Sequence, residues 1–204
     1  MLICPLPYGT IVSIILFSGA IMLEINSKEE LYGRVKKVLI SEEEISREVE
    51  KAGKYIDSLY NGKPLLLVSI LKGSFVFMAD VCRAVTVPNK VAFMCAKSYY
   101  EGTVSSGIVK ITMDLDVDIT DTDVIIIEDI VDTGRTLNDI TKLLKTRGAS
   151  SIRVVTLLDK PSRRLVDFKA DYALFTIPDL FVIGYGLDYG EYFRNLPYIA
   201  EYGE

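Results

Sequence analysis

Histidine does not occur anywhere in the 204 residues of this chain. That absence excludes catalysis by a histidine base, a serine–histidine pair and a histidine-ligated metal, and leaves proton transfer to Asp, Glu, Lys or Tyr. Cysteine is scarce: Cys4, Cys82 and Cys95 have no metal-ligand spacing and suggest no disulfide framework, so a reducing cytoplasm is the expected setting. A basic surplus is missing too. With 23 Lys and Arg against 28 Asp and Glu, the formal net charge is −5, which argues against a nucleic-acid partner held through a broad basic face. Internal repeats, low-complexity stretches, a G-x-x-x-x-G-K-[ST] phosphate loop and a G-x-G-x-x-G dinucleotide fingerprint are all lacking. What remains is 50% hydrophobic and long enough to bury one substantial core, so a single domain is expected.

The N-terminus reads differently from the rest. From Ile11 to Leu23 there is no charge, yet the run is short for a membrane span and no positive segment precedes it as a secretory signal requires. The expectation is that residues 1–21 are extraneous, that Met22 is the true start, and that 22–204 form one domain; a membrane anchor is the alternative.

Beyond Met22 the chain alternates between two periodicities. Ser41 with Glu44 makes a capping box, and Ile45, Val49, Ala52, Ile56 and Leu59 follow at helical spacing. Asn61 to Pro64 ends that helix, and Leu65 to Leu71 reads as a buried strand. A helix from about Ser74 to Ala84 and a strand near Val91 to Ala96 come next. After a polar loop there are a strand near Val109 to Met113 and the apolar run starting at Val124. Thr136 to Arg147 reads as a helix closed by Gly148, and Ile152 to Leu158 as a strand. Short strands are expected near Tyr172 to Thr176 and Phe181 to Gly184. This alternation predicts an α/β fold with a mostly parallel sheet covered by helices on both faces.

The most informative stretch is VIIIEDIVDTGRT, from Val124 to Thr136. An apolar strand ends in adjacent carboxylates, Glu128 and Asp129, and passes into a small polar turn. In open α/β sheets ligands lie beyond the carboxyl ends of the strands, and a turn entering a helix directs backbone N–H groups at an anion. Two acids beside an anion site repel a ligand that is phosphate throughout, so a phosphate followed by hydroxyls is implied, as in a ribose phosphate. Thr133 and Thr136 can donate hydroxyls, Gly134 permits close backbone approach and Arg135 adds charge. Other polar positions sit at similar strand ends. Leu71-Lys72-Gly73-Ser74 puts a cation and a glycine where a pyrophosphate could lie, and Lys160 projects from the end of another strand. Lys97 to Ile108 is polar, contains two glycines and could close over a site. Ile177 to Ile199 is dense in aromatics, of which one face could stack on a planar base.

The Val124–Thr136 run resembles the phosphoribosyl-pyrophosphate signature of type I phosphoribosyltransferases. From about Val38 to Tyr198 the chain resembles the hypoxanthine-guanine members of bacterial type. That resemblance implies a twisted, mostly parallel sheet with a small hood built from N- and C-terminal segments, and a cytoplasmic enzyme of purine salvage. It implies transfer of a ribosyl phosphate from 5-phosphoribosyl-1-pyrophosphate to a 6-oxopurine, giving IMP or GMP and pyrophosphate. Leu71, Lys72 and Gly73 match the pyrophosphate loop, whose Leu71–Lys72 peptide can be cis, and Ser98 with Tyr99 the closing loop. Thr133, Gly134, Arg135 and Thr136 match the phosphate cradle, with Arg135 acting mainly through its backbone. The resemblance puts Lys160 on the purine 6-oxo group, Phe181 on the ring, Val182 at its edge, Arg194 by the pyrophosphate and Asp188 by Mg²⁺; Glu128 and Asp129, each able to accept from a sugar hydroxyl, are expected beside Asp188 as further Mg²⁺ ligands.

In a chain without histidine, Asp132 is the candidate for the purine's imidazole proton. The implied partners are these small molecules and further copies of the chain, as homodimer or homotetramer, with neither nucleic acid nor membrane. Rival readings are a phosphoribosyltransferase for xanthine, adenine or another base, and a non-catalytic sensor of the sugar pyrophosphate. The acidic composition and the lack of a spare segment disfavour the sensor; Lys160 and the Phe181–Asp188 stretch disfavour the other bases.

Overall fold

The computed structural model describes residues 28–60, 65–98 and 109–203. The N-terminal stretch through Met22, the turn at 61–64, Tyr99 and the rest of the expected lid lie outside the described residues. The described chain runs α1 (Lys28–Tyr32), β1 (Val35–Ile40), α2 (Glu42–Tyr60), β2 (Leu65–Leu71), α3 (Phe75–Ala84), β3 (Asn89–Ser98) and β4 (Val109–Met113). It continues through β5 (Asp123–Val131), α4 (Arg135–Thr146), β6 (Ser151–Asp159), a 3-10 turn at Pro161–Arg163, β7 (Tyr172–Thr176), β8 (Val182–Ile183) and β9 (Ile199–Tyr202).

Six strands form the main sheet in the order β4-β3-β2-β5-β6-β7, all parallel except the edge strand β4. The apolar runs are unbroken because both faces are covered. Leu65, Leu67, Ile125, Ile127, Val155 and Leu157 pack with α2 and α3, whereas Leu66, Val68, Ile70, Val124, Ile126 and Val154 pack with α4. Ile125, Ile126 and Ile127 are fully buried; truncating any one to alanine should cost about 2–5 kcal/mol.

Helix ends follow local chemistry. The capping box forms as expected, with Ser41 N–H donating to Glu44 Oε2 at 2.8 Å and Glu44 N–H to Ser41 Oγ at 3.2 Å. Helix α2 then buries Ile45, Val49, Ala52, Ile56 and Tyr60, and its Gly53 lies so close to Ala84 that a Cβ there would stand 2.6 Å from the Ala84 carbonyl oxygen. Helix α4 buries Leu137, Ile140 and Leu144 and stops before Gly148, whose φ of +81° suits a residue without Cβ.

Three features differ from the sequence expectation. Strand β3 extends two residues beyond the expected span at each end, because parallel pairing with β2 continues through Leu65↔Asn89 and an antiparallel register carries it to Ser98↔Val109. The expected Phe181–Gly184 strand shrinks to Val182–Ile183. It joins β1 and β9 in a separate three-stranded antiparallel sheet, β1-β9-β8. That sheet joins N- and C-terminal segments as the hood, and neither β1 nor β9 was apparent in the local pattern. The aromatics of 177–199 also divide: Tyr185 and Phe193 are buried, whereas Phe181 and Tyr192 are exposed.

Candidate active site

Strand order reverses between β2 and β5. The chain passes from β2 to β3 on one side, then returns to place β5 on the other. Loops leaving adjacent strands in opposite directions open a crevice at their carboxyl ends, the usual ligand position in such sheets. A cavity of about 230 Å³ lies there, lined by the β2 end through Leu71, Lys72 and Gly73 and by the β5 end from Glu128 to Gly134 with Thr136.

The β2 end is held by a buried pair of hydroxyls. Ser69 Oγ and Ser74 Oγ are 2.7 Å apart, and Ser74 donates to the Ile70 carbonyl, so both buried side chains are satisfied while the loop between them turns. The Leu71–Lys72 peptide is cis. Gly73 packs against the Asp129 carboxylate so tightly that a Cβ would fall 1.5 Å from Oδ2, and its own carbonyl oxygen would be 2.1 Å from a Cβ on Gly186. Three parts of the sequence therefore meet at Gly73.

The cavity floor carries two carboxylates in an unfavourable electrostatic setting. Glu128 is buried and its Oε2 has no hydrogen-bond partner. Burial first, and the neighbouring Asp129 second, hold its pKa well above the ordinary carboxylate range. Burial likewise pushes Asp129 up to about 6, opposed by N–H donation and by Arg194; Ile130 N–H donates to its Oδ1 at 2.8 Å. Buried acids with an unpartnered oxygen are poised for a ligand that brings hydroxyls or a cation.

The turn that follows is shaped by Gly134, whose φ of +79° starts α4 in the left-handed region. Side-chain atoms of Arg164 and Phe168 would lie 3.0 Å from a Cβ there. Arg135 N–H reaches Thr133 Oγ1 at 3.4 Å and Asn138 N–H donates to the Gly134 carbonyl at 2.9 Å. First-turn N–H groups of α4 face the cavity end of β5, so an anion there would meet a helix N-terminus.

Two chains of polar contacts leave the cavity. On one side Lys72 Nζ lies 3.0 Å from Glu191 Oε2, the same oxygen receives Arg194 NH2 at 3.2 Å, and Arg194 also reaches Asp188 Oδ1 at 2.8 Å. Asp188 Oδ2 accepts from Glu191 N–H at 2.8 Å, and Arg194 NH1 donates to the Gly186 carbonyl at 2.7 Å. On the other side Asp132 Oδ1 accepts from Arg163 Nε at 3.0 Å. Arg163 NH1 continues to Asp179 at 3.4 Å, and Asp179 lies 3.9 Å from Lys160 Nζ. The Lys160 ammonium is buried and donates to the Leu180 carbonyl at 2.6 Å, next to Phe181. Phe181 presents an exposed ring, edge-on to Tyr189 at 6.0 Å, while its carbonyl accepts from Tyr202 N–H. Val182 is buried in register with Glu201.

Most of the expected residues thus converge on one crevice and its two flanks. Ser98 closes β3 against Val109, and its side chain lies outside the described ones, as does Tyr99. Sequence reading missed four residues. Glu191, Arg163 and Asp179 bridge expected site residues, and Arg164 braces the turn by donating to the Val131 and Asp132 carbonyls and pairing with Asp159. Only the doubled arginine after Lys160-Pro161-Ser162 hinted at this. Among the described residues no group of three or more His, Cys, Asp or Glu could hold a metal, and no helix is long and apolar enough to cross a membrane. Mg²⁺ is characteristically held by one or two carboxylates together with substrate phosphates, and the buried, unpartnered Oε2 of Glu128 leaves one such hard oxygen open to a cation, with Asp129 beside it and Asp188 close enough to act on Asp129.

Residues 35–190 match the family model of the phosphoribosyl transferase domain. The chain is 50% identical over 166 residues to the hypoxanthine-guanine phosphoribosyltransferase of Bacillus subtilis, covering 81% of this chain and 92% of that protein. It is 46% identical over 176 residues to the bifunctional protein TilS/HprT of Listeria monocytogenes, where 86% of this chain spans only 27% of the relative's length. The solved hypoxanthine phosphoribosyltransferase of Staphylococcus aureus superposes with a TM-score of 0.81 at 47% identity, over 84% of this chain and 94% of that one. The strand-end crevice and these likenesses agree, and the chain belongs to the phosphoribosyl transferase family.

Proposed function

We propose that the protein transfers the 5-phosphoribosyl group of 5-phosphoribosyl-1-pyrophosphate to a ring nitrogen of hypoxanthine or guanine, releasing pyrophosphate and forming IMP or GMP. The observation that carries this reading is the pair of flanks leaving one cavity: cations Lys72 and Arg194 on one side, and Asp132 with buried Lys160 and the Phe181 ring on the other. Relatives named hypoxanthine-guanine phosphoribosyltransferase support it.

As the bond from the anomeric carbon to pyrophosphate breaks, positive charge grows on the ribose and negative charge on the leaving group, while the purine nitrogen forms the new bond and loses its proton. Positioning and electrostatics therefore supply most of the catalysis. Lys72 and Arg194 face the leaving phosphates. Glu128 and Asp129 accept from the ribose hydroxyls and lend negative charge near the developing cation. Thr133, Gly134, Arg135 and Thr136 hold the 5-phosphate at the start of α4, with Arg135 contributing its backbone. Asp132 takes the imidazole proton, Lys160 donates to the 6-oxo group, Phe181 stacks on the ring and the Val182 backbone meets its edge. Ser98 and Tyr99 belong to the segment that excludes water. Mg²⁺, held at Asp188 with Glu128 and Asp129 nearby, would neutralise phosphate charge when bound.

In this reading residues 22–204 are one cytoplasmic phosphoribosyltransferase domain that works as a homodimer or homotetramer. A variant beginning at Met22 should keep full activity, and sedimentation should report the assembly. The deciding experiment incubates the protein with Mg²⁺, the sugar pyrophosphate and each base separately. Nucleotide should form with hypoxanthine or guanine and not with adenine; no nucleotide from any 6-oxopurine overturns the assignment.

A further inference from the structure

Glu191 has no role in the reaction as described, yet it occupies a position that the reaction requires. Its Oε2 stands 3.0 Å from Lys72 Nζ and 3.2 Å from Arg194 NH2, between the two cations that face the leaving phosphates. One carboxylate oxygen shared by an ammonium and a guanidinium is the arrangement a pyrophosphate oxygen would adopt there. We propose that Glu191 is a placeholder for pyrophosphate, holding the Lys72–Arg194 pair in the ligand-free protein and competing with the product for it.

This inference rests on the phosphoribosyltransferase reading above and concerns the return of the site to its free state. Two observations support it. Glu191 has a left-handed backbone, φ +72°, and its N–H is held by Asp188, so the main chain fixes the residue beside the cations while the carboxylate can still turn. Both Lys72 and Glu191 are more than half exposed, so the pair between them is weak enough for a ligand carrying several charges to displace. The consequence is a lower affinity for free pyrophosphate, and faster departure, than the two cations alone would give. Whatever occupies the cations must also give way when the sugar pyrophosphate binds, so the effect appears in its KM as well.

The test is calorimetric titration of inorganic pyrophosphate with Mg²⁺ into the full chain and into Glu191→Gln, which keeps the shape and removes the charge. Glu191→Gln should bind about three- to fivefold more tightly, the scale of an exposed ion pair. Pyrophosphate should also become a stronger product inhibitor, with kcat falling relative to kcat/KM. Glu191 also lines a second cavity, shared with Glu50, and Glu50→Gln removes the same charge there and controls for a general field effect. Lys72→Ala should abolish most of the gain from Glu191→Gln, since the competition is for that cation. Equal or weaker pyrophosphate binding by a folded Glu191→Gln overturns the placeholder, and so does an equal gain in Glu50→Gln. If neither protein binds pyrophosphate or makes nucleotide, the underlying activity falls as well; if both make nucleotide with equal affinities, only the placeholder falls.

Discussion

Arg163 Nε donates to Asp132 Oδ1 at 3.0 Å, so the carboxylate assigned to the purine proton is engaged by a guanidinium when no base is present. The same guanidinium reaches Asp179, so a base bound as proposed, between Asp132 and Lys160, would exchange one set of hydrogen bonds for another. Asp132→Asn keeps the shape but cannot accept a proton. Turnover should fall about a hundredfold or more, the scale of general-base catalysis, with little change in binding of the sugar pyrophosphate. Arg163→Ala removes the contact to Asp132 that the base would displace, together with the one to Asp179, and turnover should stay close to the parent's. Single-turnover rates alongside equilibrium binding separate the two effects; an Asp132→Asn enzyme of unchanged turnover would remove Asp132 from the mechanism.

Lys160 is buried with its ammonium on the Leu180 carbonyl and 3.9 Å from Asp179. A donor fixed in that way suits an oxygen at the purine 6-position and meets another donor where that position carries an amino group. Discrimination built on a buried polar group can be large, because the wrong ligand leaves that group unpaired. Lys160→Ala should lower kcat/KM for hypoxanthine about tenfold or more and narrow the preference over adenine. Competition assays with both bases read this directly. Adenine excluded as strongly as before would mean that another group selects the base.

The fold was legible where burial is two-sided and opaque where it is not. Strands β2 and β5 announced themselves because Leu65–Leu71 and Val124–Ile127 alternate between two packed faces, which leaves no polar position within these two runs other than Ser69. Strands β1 and β9 are short, bulged and paired with each other from opposite ends of the chain, so no local periodicity marks them. The site divides in the same way. Lys72, Glu128, Asp132 and Lys160 stand at strand ends within motifs. Glu191 and Arg163 matter through partners 119 and 31 positions away, which only the closed fold brings within reach.

Glu128 and Asp129 give the ligand-free protein a defined pH dependence. Burial raises both carboxyls, Asp129 to about 6 and Glu128 well above its ordinary value. A carboxyl with a folded pKa above its unfolded one contributes stability that is full below the unfolded pKa and lost as pH rises through the folded pKa. For Asp129 the window runs from about 4 to about 6, and Glu128 extends it upward. In chelator the melting temperature of the parent, taken relative to Glu128→Gln, should therefore decline across that range. Glu128→Gln removes the buried charge and should raise it by about 2–4 °C at pH 7.5, the response of a chain of this size to about 1 kcal/mol. The gain should vanish near pH 4, where the parent carboxyl is neutral in both states. A Glu128→Gln protein less stable than the parent at pH 7.5 contradicts this account. The same substitution should impair turnover, since stability would come from discarding a charge proposed to serve the ribose.

Gly73 tests whether the loop proposed to face pyrophosphate and Asp129, proposed to hold the sugar, form one unit. A Cβ at this position would fall 1.5 Å from Asp129 Oδ2, and the Gly73 carbonyl already lies against Gly186, so the added carbon cannot be absorbed by moving the loop away from Asp129. The carboxylate must turn instead. It would then lose the alignment set by the Ile130 N–H, and with it the placement proposed to meet the sugar. Gly73→Ala should therefore fold, because the overlap is with a side chain at the cavity edge and the sheet beneath is unaltered, yet bind the sugar pyrophosphate poorly. A loss of about tenfold or more in kcat/KM for that substrate is expected, in line with the cost of misplacing groups at a reacting centre. Adding Asp129→Ala to Gly73→Ala removes the overlap and should restore the melting temperature without restoring activity. If Gly73→Ala alone leaves both melting temperature and kcat/KM at parental values, the two loops are not coupled through this contact. The near-touching geometry would then be incidental to how the site holds its substrate.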